Sequence, residues 1–109
     1  MGKAWGRNLR ACTDTEVVGW VDVRPEAAEA AKAELGLDGI ATGANLAKVA
    51  DAAQPDFVVD VTVPEAHCEV TVASLGMGLP VLGEKPMAAS MEEARRMVEA
   101  SEAAGKLYM

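Results

Sequence analysis

An α/β fold on a doubly wound, Rossmann-like parallel sheet is predicted by three features of the sequence. Two short β-branched runs, residues 17–23 and 57–63, have the unbroken apolar character of strands covered on both faces. Each is followed closely by a segment of helix formers with amphipathic spacing. Gly and Pro punctuate the boundaries, leaving connections of a few residues, and strands alternating with helices over such short links imply parallel neighbours joined by right-handed crossovers.

Taken in order, Arg7-Asn8-Leu9-Arg10-Ala11 after Gly2, Trp5 and Gly6 reads as a helix whose N-terminus suits a pyrophosphate. The strand at 17–23 leads into a helix at 25–35, opened by Pro25 in its first turn and closed by Gly36. Residues 45–53 form a shorter helix, with Asn45 as N-cap and Leu46, Val49, Ala50 and Ala53 on one face, broken by Gln54-Pro55-Asp56. The strand at 57–63 stops at Pro64, which has no N–H for a central ladder.

A helix over 65–75 runs into the glycine-rich Gly76-Met77-Gly78, and residues 80–83 make a very short strand ahead of Glu84-Lys85-Pro86. Ser90 with Glu93 three positions on is a capping box for a helix through Ala104, stopped by Gly105. Residues 106–109 begin another strand. The expected order from residue 17 onward is therefore β-α-α-β-α-β-α-β, one packing unit over the whole chain.

Composition narrows the function classes. The chain has 109 residues, half of them hydrophobic, enough for one core. Its formal charge of −7 makes nucleic acid and anionic membrane surfaces poor partners. No apolar run reaches the ~18 residues of a membrane span and no signal-like h-region follows the N-terminal charges, so a cytoplasmic location is expected. Cys12 and Cys68 form no C-x-x-C pair, and one histidine with no clustered thiols offers no metal site.

In open parallel sheets ligands bind beyond the carboxyl ends of the strands, so polar residues there are the candidates. Asp22 ends the first strand, where a carboxylate accepts from both ribose hydroxyls of an adenosine and repels a 2′-phosphate. That favours NAD, while Arg24 two residues on keeps NADP open, and a plain turn with a solvated arginine is the competing reading. Thr62-Val63-Pro64 and His67 follow the second strand, with His67 either a cofactor contact or a structural residue. Glu84-Lys85-Pro86 follows the third, where Lys85 suits a hydroxyl at the carbon losing hydride and Glu84 suits the nicotinamide ribose or the lysine itself. A salt bridge at a turn is the alternative.

Asp22 after a strand, Thr62-Val63-Pro64 with His67, and Gly83-Glu84-Lys85-Pro86-Met87 ahead of Ser90-Met91-Glu92-Glu93-Ala94 together resemble the glucose–fructose oxidoreductase and inositol dehydrogenase (Gfo/Idh/MocA) family. Trp5-Gly6-Arg7-Asn8-Leu9 is similar to the end of that family's glycine loop. The resemblance implies that residues 1–109 are a partial dinucleotide-binding domain, lacking the family's first strand and its C-terminal α/β domain. It implies cofactor contacts from Gly6, Asp22, Arg24, Thr62, Pro64, His67, Glu84, Lys85 and Pro86, with Lys85 the catalytic candidate. It also implies a sugar, cyclitol or related polyol as substrate in the longer relatives, with this stretch inactive alone. The alternative is a non-catalytic nucleotide-binding or self-associating module, with a second copy of the chain as partner.

Overall fold

The computed structural model describes residues 2–109, which divide into two compact units at Pro55 and Asp56. Unit 1 runs α1 (Gly2–Ala11), β1 (Gly19–Val21), α2 (Pro25–Leu35), β2 (Ala41–Gly43) and α3 (Leu46–Ala53). Unit 2 runs β3 (Val58–Asp60), α4 (Pro64–Gly76), β4 (Val81–Gly83) and α5 (Met91–Ala104). The strand–helix alternation and the parallel pairing are as expected. The strands are shorter than the apolar runs that announced them.

In unit 1, β1 and β2 pair in parallel with Trp20 opposite Thr42. β2 is absent from the expected element order. Ala41-Thr42-Gly43 has no apolar run or alternation to announce it, and it is a strand because β1 lies beside it. The helices follow their local signals closely: Pro25 opens α2, Gly36 closes it at φ 64, and the Asn45 side chain accepts from the Lys48 N–H at the start of α3. The core gathers Ala28, Ala31, Leu35, Leu37, Val49 and Ala50, so α2 and α3 bury small faces close against the strands.

Unit 2 pairs β3 and β4 in parallel, Val59 opposite Leu82. Residues 106–109 extend this pairing through a bridge between Val81 and Tyr108, with Val81 N–H donating to Leu107 O and Met109 N–H to Val81 O, both at 2.9 Å. The strand expected to stop at Pro64 ends at Asp60, and Pro64 is the first residue of α4, where its missing N–H costs nothing. α5 starts with half of the expected capping box, the Glu93 N–H donating to Ser90 Oγ at 3.2 Å. Leu75 and Met97 are fully buried, each stabilising the unit by roughly 1.5–3 kcal/mol.

The single sheet expected from the sequence is instead two pairings, β1–β2 and β3–β4. No strand among the described residues pairs with the far edge of β1 or of β3.

Candidate functional site

Each unit carries polar residues where its strands end. In unit 1 the Asp22 N–H still belongs to the ladder, donating to Gly43 O at 3.1 Å, and the chain then turns. Asp22 Oδ1 accepts from the Arg24 N–H at 3.0 Å, a local turn that sets the entry to α2. A carboxylate has about four lone-pair sites, so this turn leaves Asp22 with acceptor capacity for further hydroxyls. Arg24 is exposed and caps α2 through its backbone alone. Between them Val23 is 89% exposed, an apolar side chain held in solvent beside a hydrogen-bonding carboxylate.

Gly6 does not sit in a loop. It lies buried in the middle of α1, and a Cβ there would come within 2.7 Å of the Trp20 ring and 2.8 Å of Leu35. Glycine at this position therefore lets α1 approach β1 and α2. Among the fingerprint glycines of dinucleotide-binding folds, one serves this packing purpose rather than the pyrophosphate. The glycine-loop expectation for Gly6 is corrected to a packing role in this structure.

In unit 2 the end of β3 is organised by a residue that the motif reading passed over. Asp60 is buried, and its carboxylate takes three donors: Thr62 N–H at 3.0 Å, Thr62 Oγ1 at 2.6 Å and His67 Nδ1 at 3.0 Å. Because a carboxylate only accepts, the imidazole proton facing it belongs on Nδ1. His67 Nε2 then stays an acceptor, buried without a partner, as is Thr71 Oγ1 one helical turn along α4. Burying a carboxylate costs heavily unless it is hydrogen-bonded, and these donors supply that compensation.

His67 is accordingly only 2% exposed and faces the strand rather than solvent, so the structural reading of this histidine, not the cleft-lining one, matches the geometry. Thr62 is exposed, Val63 is 62% exposed and Pro64 is half-buried. The structure thus brings Thr62, Pro64 and His67 together, with Thr62 and its neighbour Val63 presented outward.

β4 ends in the same register. Asp60 pairs with Gly83, and the Glu84 N–H donates to Asp60 O at 2.9 Å, so the Glu84-Lys85-Pro86 segment leaves the sheet level with Thr62. The Lys85 N–H donates to Glu84 Oε1 at 3.1 Å, the Lys85–Pro86 peptide is cis, and both Lys85 and Pro86 are exposed. Tyr108 lies over Gly83, where a Cβ would be 3.3 Å from its hydroxyl. Burial, and secondarily the Asp60 charge, push the Tyr108 phenol above its ordinary range.

Asp60, Tyr108 and Val23 are the residues that sequence reasoning missed. Asp60 had a signal: a carboxylate inside an otherwise apolar strand run must be partnered if the strand is buried. Tyr108 had none, since its place over Gly83 depends on pairing between distant segments.

Comparison with known proteins agrees with the fold. The family model described as "Oxidoreductase family, NAD-binding Rossmann fold", Gfo/Idh/MocA, matches residues 1–109. Inositol 2-dehydrogenase 4 of Saccharopolyspora erythraea is 34% identical over 82 residues, covering 75% of this chain and 24% of that protein. Inositol 2-dehydrogenase of Streptomyces avermitilis is 37% identical over 82 residues, with the same coverage of 75% and 24%. The chain thus spans about a quarter of the length of these relatives. Among solved structures, the WlbA dehydrogenase from Chromobacterium violaceum, in complex with NADH and UDP-GlcNAcA, superposes with TM-score 0.85 at 25% identity, covering 99% of this chain and 30% of that one. The myo-inositol 2-dehydrogenase of Lactobacillus plantarum shares the fold, with TM-score 0.83 at 21% identity over 99% of this chain and 32% of its own.

Proposed function

The chain belongs to the Gfo/Idh/MocA oxidoreductase family as an NAD-binding Rossmann domain, and from that premise we propose that it supplies the cofactor-holding residues of a dehydrogenase acting on a cyclitol, sugar or related polyol. The observation that carries this reading is that each unit, taken by itself, places hydrogen-bonding and exposed apolar groups at the carboxyl ends of its strands, where ligands of open α/β sheets bind. Bound NAD supplies a nicotinamide ring that accepts hydride. The chain's own residues bind and orient it.

The donor and acceptor set fits that group. Asp22, with one oxygen committed to the Arg24 N–H, accepts the adenosine ribose hydroxyls through its remaining capacity, and Val23 offers an apolar edge to a base. Arg24, exposed beside it, is the residue that decides tolerance of a 2′-phosphate. At the end of β3, Thr62, Val63 and Pro64 give one hydroxyl and two apolar surfaces suited to the nicotinamide half. Glu84 takes the nicotinamide ribose. Lys85 donates to the substrate hydroxyl and favours negative charge developing on that oxygen as hydride departs. His67 supports the site from behind and holds no proton for the reaction. The domain assignment over residues 1–109 is part of the same proposal, as is the polyol substrate.

Calorimetric titration of the purified chain with NAD and with NADP tests the reading. The expected result is saturable NAD binding, weaker NADP binding, and a loss of about tenfold or more in NAD affinity on Asp22→Ala, the effect of removing a charge-assisted hydrogen-bond acceptor. A folded chain that binds neither cofactor would overturn it.

A further inference from the structure

Building on the cofactor reading above, we propose that Asp60 is a positioning residue that braces the Thr62-Val63-Pro64 turn for its contact with the nicotinamide half of the dinucleotide. Nothing in the motif pattern points to this residue. Its side chain is fully inaccessible, so it touches neither cofactor nor substrate and acts only through what it holds.

What it holds is both ends of one short link. Thr62, the first residue of the turn after Val61, gives Asp60 its N–H at 3.0 Å and its hydroxyl at 2.6 Å. His67, in the first turns of α4, gives the same carboxylate its Nδ1 proton at 3.0 Å. One buried group thus ties the outgoing end of β3 to the start of α4, and the residues between are the exposed ones: Thr62, and Val63 at 62%. A segment fixed at both ends and bare at its apex presents contact groups without spending binding energy on ordering them.

Stability alone does not explain the arrangement. Apolar residues of the same volume often serve stability as well as a buried charge, and what the Asp60 carboxylate adds in this apolar strand is a fixed geometry for the turn. The position supports the same conclusion, because Asp60 also accepts the Glu84 N–H through its backbone oxygen at 2.9 Å, placing the Glu84-Lys85 segment in register with the braced turn. The two neighbouring strand ends are held level by one residue.

The test is a pair of titrations, NAD and AMP, on the wild-type chain and on Asp60→Ala. The methyl accepts nothing, so neither Thr62 nor His67 keeps its hold on residue 60. NAD affinity should fall about tenfold while AMP affinity, which reads only the adenosine half, stays unchanged. If Asp60→Ala does not fold, His67→Leu carries the comparison, because leucine fills much of the ring's volume but donates nothing to the Asp60 carboxylate, and it should show the same selective loss. Equal weakening of NAD and AMP, or no weakening of either, overturns the brace and leaves the cofactor reading standing. A folded wild-type chain that binds neither ligand overturns the cofactor reading and the brace with it.

Discussion

At the residue scale, Asp60 is linked to a measurable property of the chain's single tyrosine. Tyr108 is pushed above its ordinary range first by burial and then by the Asp60 charge, so the two causes separate on mutation. Ultraviolet difference titration should place the phenol above the free value of about 10. Asp60→Asn should lower it without restoring that value, since burial persists. The sign for stability follows: the folded state raises this pKa, so Tyr108 contributes stability that is intact below the unfolded value and lost as pH rises through the folded one. A Tyr108 that titrates at the free value in the folded chain would show that it does not lie over Gly83. Single residues were unevenly legible in the sequence. The place of Asp22 at the end of a strand was readable because a strand end is announced locally. For His67 the sequence left a cofactor contact and a structural role open, and for Gly6 the resemblance implied a cofactor contact; burial favours the structural role in both, and a motif shows residue types but not which way a side chain turns.

At the scale of elements, the helices were legible and one strand was not. Caps at Asn45 and Ser90, the Pro25 start and the Gly36 and Gly105 stops are local chemistry, and the structure places each where that chemistry requires. β2 owes its existence to a neighbour 22 positions away, Gly19 opposite Ala41, which no local pattern records. The same non-local logic governs α1. Gly6 is a poor helix former, yet its missing Cβ is what admits the Trp20 ring and Leu35. Gly6→Ala gains roughly 1 kcal/mol of helix propensity but forces a methyl to within 2.7 Å of a rigid indole. Overpacking of this kind costs about 1–3 kcal/mol, so the substitution should be net destabilising, with a larger effect for Gly6→Val. Urea unfolding measures it. An unchanged or raised midpoint for Gly6→Ala would mean that α1 does not dock on β1 through this residue.

For the molecule as a whole, the alternation of strands and helices was legible, but which strand stands beside which was not, and the two open strand edges follow from that pairing. Val18 O accepts from Ala41 N–H and Asp22 N–H donates to Gly43 O, so in the evenly alternating parallel ladder Gly19 and Val21 direct their N–H and C=O groups away from β2. In unit 2, Val58 N–H donates to Pro80 O and Asp60 O accepts from Glu84 N–H, which turns Val59 outward in the same way. Such edges are templates for pairing with another chain, and neither carries a lysine or proline within its strand to blunt it. The formal charge of −7 opposes that pairing by repulsion that salt screens. Sedimentation velocity should therefore show association that increases with both protein concentration and ionic strength. Amide exchange provides the residue-level counterpart: Val21 and Val59 should exchange rapidly in dilute solution while Asp22 and Val58, bonded within their ladders, stay protected, and association should slow the first pair. A monomer insensitive to concentration and salt, with Val21 and Val59 already protected, would mean that these edges are satisfied within the chain itself.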